Sequence, residues 1–145
     1  EITTRLVGSE MCIRDRLRHA LFFKSYEGLL EHMKKHMAIV APKFKAVADI
    51  LEKELAPLEV GNWTNPKGGY FVSFDSIPGC AKRIVSLCKD AGVTLTGAGA
   101  AFPYGKDPDN KNIRIAPTYP SVEELISAMK IFCLSVKIAS AESLI

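Results

Sequence analysis

The sequence lacks the features that mark a membrane protein, a disulfide-bonded module or a nucleic-acid-binding domain. It has no run of about 18 apolar residues, so we expect no membrane span. Its four cysteines show no CxxC spacing, which favours reduced thiols in the cytoplasm and disfavours a disulfide framework. Basic and acidic residues are interspersed, and the net charge is only +3. We therefore expect no nucleic-acid partner.

Two nucleotide-binding motifs are also incomplete. Five residues rather than four separate Gly99 from Gly105, and Asp107 follows Lys106 where a phosphate-binding loop needs serine or threonine. Gly97 and Gly99 lack the third glycine of a dinucleotide fingerprint. We interpret GAGAAFPYGK as a structural loop or the edge of a substrate site.

A metal site is not expected either. His32 and His36 are four residues apart, a spacing that places two ligands on one face of a helix. No third ligand is evident in the sequence, and neighbouring lysines repel a cation. We interpret the pair as part of a solvated helix surface.

The part of the chain with clear periodicity begins with a long helix. From Ser25 to about Ala56, apolar residues recur in steps of three and four, which is typical of an amphipathic helix. Ser25 is the expected N-cap. Pro42 lies inside the pattern and predicts either a kink or a division into two helices.

Short strands and helices come after this helix. The pattern predicts strands in YFVSFD, in Val93–Thr96 and in NIRIAP. It predicts a helix from Pro78 to Ala91, ended by Gly92, and a last helix with a capping box of Ser121 and Glu124. This order predicts an α+β fold, with helices packed on a small mixed sheet and a long connector helix before it.

Arg114 in NIRIAP is the most informative polar residue. Strand alternation places it on the face opposite Ile113 and Ile115. Its planar guanidinium suits a carboxylate held by two hydrogen bonds. From the residues alone, that carboxylate is either a ligand or a local acid such as Asp75 or Asp107.

Three features in this order carry a family resemblance: PKGGYFVSFD, GVTLTGAGAAFPYGKDPDNKNIRIAPTYP and the capped terminal helix. Together they resemble the C-terminal small domain of fold-type I aminotransferases, most nearly the bacterial aspartate aminotransferase subgroup. The resemblance covers Leu17 to Ile145. It implies pyridoxal 5'-phosphate as cofactor, an amino acid and a 2-oxo acid as substrates, with aspartate a candidate, and a homodimeric parent enzyme.

The resemblance also implies roles for single residues. Arg114 matches the arginine that binds the substrate α-carboxylate in this family, and Tyr70 or Phe71 would line the substrate side of the pocket. The lysine that forms the Schiff base with the cofactor has no match in this chain, nor do the other cofactor-binding residues. No catalytic or cofactor-binding residue is therefore assigned, and we expect a truncated aminotransferase that is inactive by itself and does not bind the cofactor tightly.

The stretch LVGSEMCIRDR, residues 6–16, differs in character from the rest of the chain. It has no apolar segment of a signal peptide, and it resembles the translation of a transposase-type sequencing adaptor. The expected organisation is thus an adaptor-derived segment at 1–16, an interdomain connector region at 17–56 and the aminotransferase small domain at 57–145.

Two other interpretations remain open at this stage. One is a non-catalytic α+β binding or interaction module. The other is a different pyridoxal phosphate chemistry on the same fold, such as decarboxylation or β-elimination, because those enzymes also bind a substrate carboxylate. Exposed apolar faces on the long helix and at Leu21, Phe22 and Phe23 would count against a free-standing module.

Overall fold

The computed structural model describes the backbone of residues 2–144 and the side chains of residues 12–144. Its helices are α1 (Ile2–Phe23), α2 (Tyr26–Glu54), α3 (Ala81–Asp90) and α4 (Val122–Glu142). Its strands are β1 (Gly61–Trp63), β2 (Val72–Ser76) and β3 (Asn112–Ile115), and they form one sheet in the order β1-β2-β3. The chain divides into two compact units, Glu1–Val40 and Ala41–Ile145.

The first unit contains α1 and the start of α2. Ser25 caps α2 as predicted, since its Oγ accepts the N–H of Gly28 at 3.2 Å. Residues 2–16 of the segment interpreted as adaptor-derived lie within α1. Helix α2 continues through Pro42 to Glu54, so the predicted division at Pro42 is wrong, and the alternative kink stays a prediction.

The second unit contains the sheet, and both of its strand pairs are antiparallel. The α+β class is confirmed, but the sheet is not mixed. Strand β1 was not predicted, because GNW lies in a stretch rich in turn residues. Its Gly61 pairs with Ser76, and a Cβ at Gly61 would lie 2.7 Å from Phe74 Cζ and 2.8 Å from Asp75 O. Only glycine permits this approach of the two strands.

The predicted strand at Val93–Thr96 is absent. Instead, the N–H of Val93 bonds to Cys88 O at 2.8 Å and the N–H of Gly92 bonds to Lys89 O at 3.0 Å. With Gly92 at φ 86, these bonds form the Schellman ending of α3. The β-branched pattern there was misleading because the start of the segment is used to end a helix.

One face of the sheet packs against α3, α4 and the second part of α2. Phe74 of β2 meets Phe132 of α4 edge to face, with ring centres 5.1 Å apart. The capping box of α4 is present as predicted, with Ser121 and Glu124 bonded reciprocally. None of the described buried apolar side chains of this core comes from β1; they are Val47, Leu51, Leu55, Val72, Phe74, Cys80, Ala81, Ile84, Cys88, Ile113, Ile115, Leu125, Met129, Phe132, Cys133, Val136 and Ala139.

Within the described residues, none of the helices has the combination of length and apolar character needed to cross a bilayer.

Candidate functional site

The candidate site lies on the face of the sheet opposite the core. Strand pairing places Ser73 of β2 opposite Arg114 of β3, and Asp75 opposite Asn112. Because side chains alternate between faces, these four polar residues share one face while Val72, Phe74, Ile113 and Ile115 point to the core. The predicted placement of Arg114 is therefore confirmed.

Arg114 has no acidic partner among the described residues, because none of their salt bridges includes it. Its Nε is buried, and the N–H there donates to no acceptor of the described residues. The alternative that Arg114 pairs with Asp75 or Asp107 is thus wrong. An unpaired buried donor is costly, and such groups in a native fold call for an explanation such as a ligand-binding role.

The ring of Phe71 supports the Arg114 guanidinium. The Cζ atom of Arg114 lies 4.5 Å from the ring centre, which is within the range of a cation–π interaction. Phe71 is 45% exposed and Tyr70 is 59% exposed. Of the described aromatic rings, only that of Phe71 lies under the guanidinium. The structure thus places the ring of Phe71, and not that of Tyr70, under the guanidinium of Arg114.

Both acids that could have paired with Arg114 have other partners. Asp75 Oδ1 accepts Nδ2 of Asn112 at 2.7 Å. Asp107 Oδ2 accepts the backbone N–H groups of Lys111 and Asn112, each at 2.7 Å, and Oδ1 accepts that of Asp109 at 3.1 Å. The bond from the Asn112 N–H, followed by those from Lys111 and Asp109, holds the pKa of Asp107 below its ordinary value.

The glycine-rich loop before β3 is hydrogen-bonded to the first residue of that strand. The N–H of Gly99 donates to Asn112 O at 3.0 Å. Gly99 has φ +77, and a Cβ there would lie 2.9 Å from Gly105 O and 3.2 Å from Asp107 Cβ. This loop therefore has a structural role at the edge of the polar face, which fits its interpretation from the sequence.

Asn112 connects these features, and sequence reasoning did not single it out. Its Nδ2 donates to Ser73 Oγ at 2.9 Å as well as to Asp75. Because an ionised carboxylate only accepts, Asp75 determines which end of the amide faces it. Asn112 is 6% exposed. The available signal was its position two residues before Arg114, on the same strand face.

The histidine pair on α2 belongs to an aromatic cluster with Phe22 and Phe23 of α1. The rings of His32 and His36 lie 4.4 Å apart between centres, and His32 also meets Phe22 and Phe23 at 5.4 and 5.2 Å. Across the described residues, no group of three or more His, Cys, Asp or Glu side chains is placed to hold a metal.

A surface cleft of about 840 Å³ lies beside β1. Three of its lining residues, Asp49, Glu52 and Glu59, are acidic, and Arg114 is not among them. A cleft with this charge does not suit an anionic substrate. The sheet face with Arg114 remains the candidate site.

The described residues do not fit a pyridoxal phosphate site by themselves. A lysine that bonds covalently to this cofactor must be available as a neutral amine in a pocket. Most lysines here are exposed. The three half-buried ones are each held by an oxygen: Lys43 by Thr118 O at 2.7 Å, Lys111 by Asp109 at 2.9 Å and Lys137 by Glu54 at 2.7 Å. The contact with Asp109 also raises the pKa of Lys111, which is opposite to what such a lysine needs.

Comparisons with known proteins agree on one family for this chain. Residues 6–145 match the family described as aspartate amino-transferase, starting before the Leu17 that the motifs indicated. A provisionally named aminotransferase of Mycolicibacterium smegmatis is 49% identical over 131 residues, which are 90% of this chain and 31% of that protein. The chain thus spans about a third of the length of the curated relatives that it matches.

Solved structures of aminotransferases are also similar to this chain. An aspartate transaminase from Corynebacterium glutamicum is 44% identical, with a TM-score of 0.85 over 97% of this chain and 35% of that one. LysN, an alpha-aminoadipate aminotransferase from Thermus thermophilus solved with N-(5'-phosphopyridoxyl)-L-leucine, is 20% identical. Its TM-score is 0.68 over 79% of this chain and 29% of that one, a likeness of fold alone. With its family match, its close relatives and its small-domain fold in agreement, this chain belongs to the aspartate amino-transferase family.

Proposed function

We propose that the complete protein to which this chain contributes transfers an amino group between an amino acid and a 2-oxo acid, with pyridoxal 5'-phosphate as cofactor. Family membership supports the reaction class, and the structure of LysN supports the cofactor by analogy. The aspartate transaminase of Corynebacterium glutamicum makes aspartate the first amino donor to test. We extend the proposal to a homodimer in the cytoplasm, where the free thiols Cys80, Cys88 and Cys133 would remain reduced.

The proposal depends chiefly on the position and contacts of the Arg114 side chain. It is an arginine on a sheet face, stacked on Phe71 and free of acidic partners within the described residues. A guanidinium held in this way is preorganised for two parallel hydrogen bonds to a carboxylate. We assign it the α-carboxylate of the substrate, with Phe71 beneath the guanidinium and Tyr70 on the substrate side of the pocket. Fixing the carboxylate orients the reacting carbon, which is catalysis by positioning.

We further propose that the chain alone is inactive. No described lysine fits the cofactor, as judged by the contacts of Lys43, Lys111 and Lys137. When purified, the chain should develop no visible absorbance band of protein-bound pyridoxal phosphate and should not transaminate aspartate. A saturable band at stoichiometric cofactor would contradict this part of the proposal.

A free-standing binding module is less well supported. Leu21, Phe22, Met33 and Met37 are 56–68% exposed in the first unit. Contiguous exposed apolar groups are unusual on a free domain and mark contact surfaces. We therefore propose that residues 17–56 belong to an interdomain connector and residues 57–145 to the small domain.

We retain the proposal that residues 1–16 are adaptor-derived. The family match begins at Leu6, inside that segment, so the boundary needs a direct test. Genomic DNA that encodes a different sequence before Leu17 would support the proposal, and DNA that encodes LVGSEMCIRDR in frame would end it.

The central experiment is substitution of Arg114 in the complete protein. Loss of one partner of a desolvated charge pair costs about 2–5 kcal/mol, so Arg114→Ala should lower kcat/KM for aspartate roughly 30- to 5,000-fold. Arg114→Lys keeps the charge but loses the planar fork. Its kcat/KM for aspartate should therefore lie between that of the unaltered protein and that of Arg114→Ala. An amine substrate without a carboxylate is the matched control, since its rate should not respond. Unchanged kcat/KM for aspartate in Arg114→Ala would remove Arg114 from this role.

A further inference from the structure

Asp75 is a diagonal neighbour of Arg114 across the strand pair, so its carboxylate is a candidate partner for the guanidinium. Strand pairing places Ser73 opposite Arg114, and Asp75 is two residues further along the same strand and face. Diagonal neighbours of this kind are about 7–8 Å apart in an antiparallel pair, within reach of a long side chain. An arginine beside an unengaged carboxylate would be expected to pair with it.

The structure shows a different arrangement. Asp75 Oδ1 accepts Nδ2 of Asn112 at 2.7 Å, and the same amide nitrogen donates to Ser73 Oγ at 2.9 Å. Both hydrogens of the amide are thus directed toward strand β2. The carboxylate of Asp75 is held at Asn112, and Arg114 is left stacked on Phe71.

Asn112 is itself held firmly from the other side. Its N–H donates to Asp107 Oδ2 at 2.7 Å, and its carbonyl accepts the N–H of Gly99 at 3.0 Å. The residue is 6% exposed. A side chain restrained on both its backbone and its amide can hold a neighbouring carboxylate in one place.

We propose that Asn112 is a positioning residue that binds Asp75 and so prevents it from pairing with Arg114. The proposal rests on the proposed function, in which the Arg114 guanidinium must be available to the substrate carboxylate. Without Asn112, Asp75 would occupy the guanidinium in most molecules, and the substrate would have to displace it. Apparent affinity falls in proportion to the fraction of molecules that can bind, so a guanidinium that is nine-tenths occupied would raise KM roughly tenfold.

The first test uses the 145-residue chain and needs no activity. Rotation of the Arg114 guanidinium about its Nε–Cζ bond is followed by ¹⁵N NMR, because a bidentate ion pair slows this rotation. It should be slower in Asn112→Ala than in the unaltered chain, and fast again in Asn112→Ala/Asp75→Ala. An Asn112→Ala spectrum with unchanged Arg114 rotation would overturn the proposal. Asn112→Ser, with a shorter side chain, replaces Asn112→Ala if the latter does not fold.

Asn110→Ala is the matched control for the loss of a structural amide. The Asn110 Nδ2 donates to Gly79 O at 2.6 Å and its Oδ1 accepts the N–H of Lys82 at 3.2 Å, away from Asp75. Its loss should lower Tm and leave Arg114 rotation unchanged. Slowed rotation in Asn110→Ala would mean that general loosening causes the effect, which would also overturn the proposal.

The second test uses kinetics of the complete protein. Asn112→Ala should raise KM for the amino acid roughly tenfold and change kcat much less, and the added Asp75→Ala should restore KM. A raised KM that Asp75→Ala does not restore would show a merely structural role and refute the proposal. If Arg114→Ala leaves kcat/KM unchanged, the proposed function fails, while the NMR comparison still decides the relation between Asn112 and Asp75.

Discussion

The guanidinium carbon of Arg114 lies 4.5 Å from the centre of the Phe71 ring, and this contact orients a cation that forms no salt bridge within the described residues. Substitution of Phe71 by leucine removes the π-face but leaves apolar bulk. Since an exposed cation–π pair contributes about 0.5–1 kcal/mol, Phe71→Leu should raise KM for the amino acid about two- to fivefold in the complete protein.

Phe71→Tyr is the conservative variant for this measurement, because it keeps an aromatic ring under the guanidinium. Its KM should stay near that of the unaltered protein. Tyr119→Leu is the control for loss of an exposed aromatic ring, since Tyr119 is 97% exposed. Equal KM values for Phe71→Leu and Phe71→Tyr would show that the ring does not orient Arg114.

Gly99 and Gly97 give a matched pair of substitutions in one loop. At Gly99 the backbone has φ +77, and a Cβ would lie 2.9 Å from Gly105 O. At Gly97 no atom lies within 4 Å of the Cβ position. Gly99→Ala should therefore lower the free energy of unfolding by about 1–3 kcal/mol, whereas Gly97→Ala should change it by less than about 0.5 kcal/mol. Chemical denaturation measures both, and equal effects would contradict the close packing of this loop.

The lowered pKa of Asp107 predicts that its contribution to stability is lost at acid pH. Hydrogen bonds from backbone N–H groups, that of Asn112 first, lower the pKa of Asp107 in the folded chain. Its stabilising contribution is therefore complete above the unfolded value of about 3.9 and is lost as the pH falls through the lower folded value. The stability difference between the unaltered chain and Asp107→Asn should be constant near neutral pH and should shrink at acid pH.

Asp109→Asn is the control for this pH dependence. Asp109 forms a surface ion pair with Lys111 at 2.9 Å, and solvent-exposed pairs of this kind contribute little to stability. Its removal should therefore change stability little across the same pH range. A difference between the unaltered chain and Asp107→Asn that grows toward acid pH would contradict the assigned direction of the Asp107 pKa.

Much of the fold followed from periodicity and end signals in the sequence. The caps at Ser25 and Ser121 were predicted because an N-cap depends on a few adjacent residues. Strand β1 and the segment Val93–Thr96 were misjudged because a strand exists only where a partner pairs with it. GNW has such a partner in β2, whereas the N–H of Val93 is used to end α3.

The candidate site, like the fold, could be predicted only in part from the sequence. Alternation in NIRIAP was sufficient to place Arg114 on the polar face. The choice between a ligand and a local acid as its partner was not available from the sequence. It depends on which residue of β3 stands opposite Asp75, and that register brought Asn112 to the carboxylate. This register brings together residues from distant parts of the chain, so local sequence patterns could not predict the partner of Asp75.

The four cysteines should differ sharply in reactivity. Cys12 is exposed, whereas Cys80, Cys88 and Cys133 are buried. Alkylation of the native chain at neutral pH should therefore modify Cys12 alone, and all four should react after denaturation. Peptide mass mapping assigns the sites. Rapid native labelling of Cys133 would contradict the packing of α4 against the core.

Burial of Cys133 also predicts how stability changes at alkaline pH. Burial raises the pKa of its thiol to about 12, and an unfolded thiol has a pKa of about 8.5. Above that lower value the unfolded chain loses a proton that the folded chain keeps, so stability falls as the pH rises. Cys133→Ala removes this group, and its unfolding free energy should fall less steeply between neutral and alkaline pH. Parallel curves for the two proteins in the presence of a reductant would show that the thiol is not protected in the folded state.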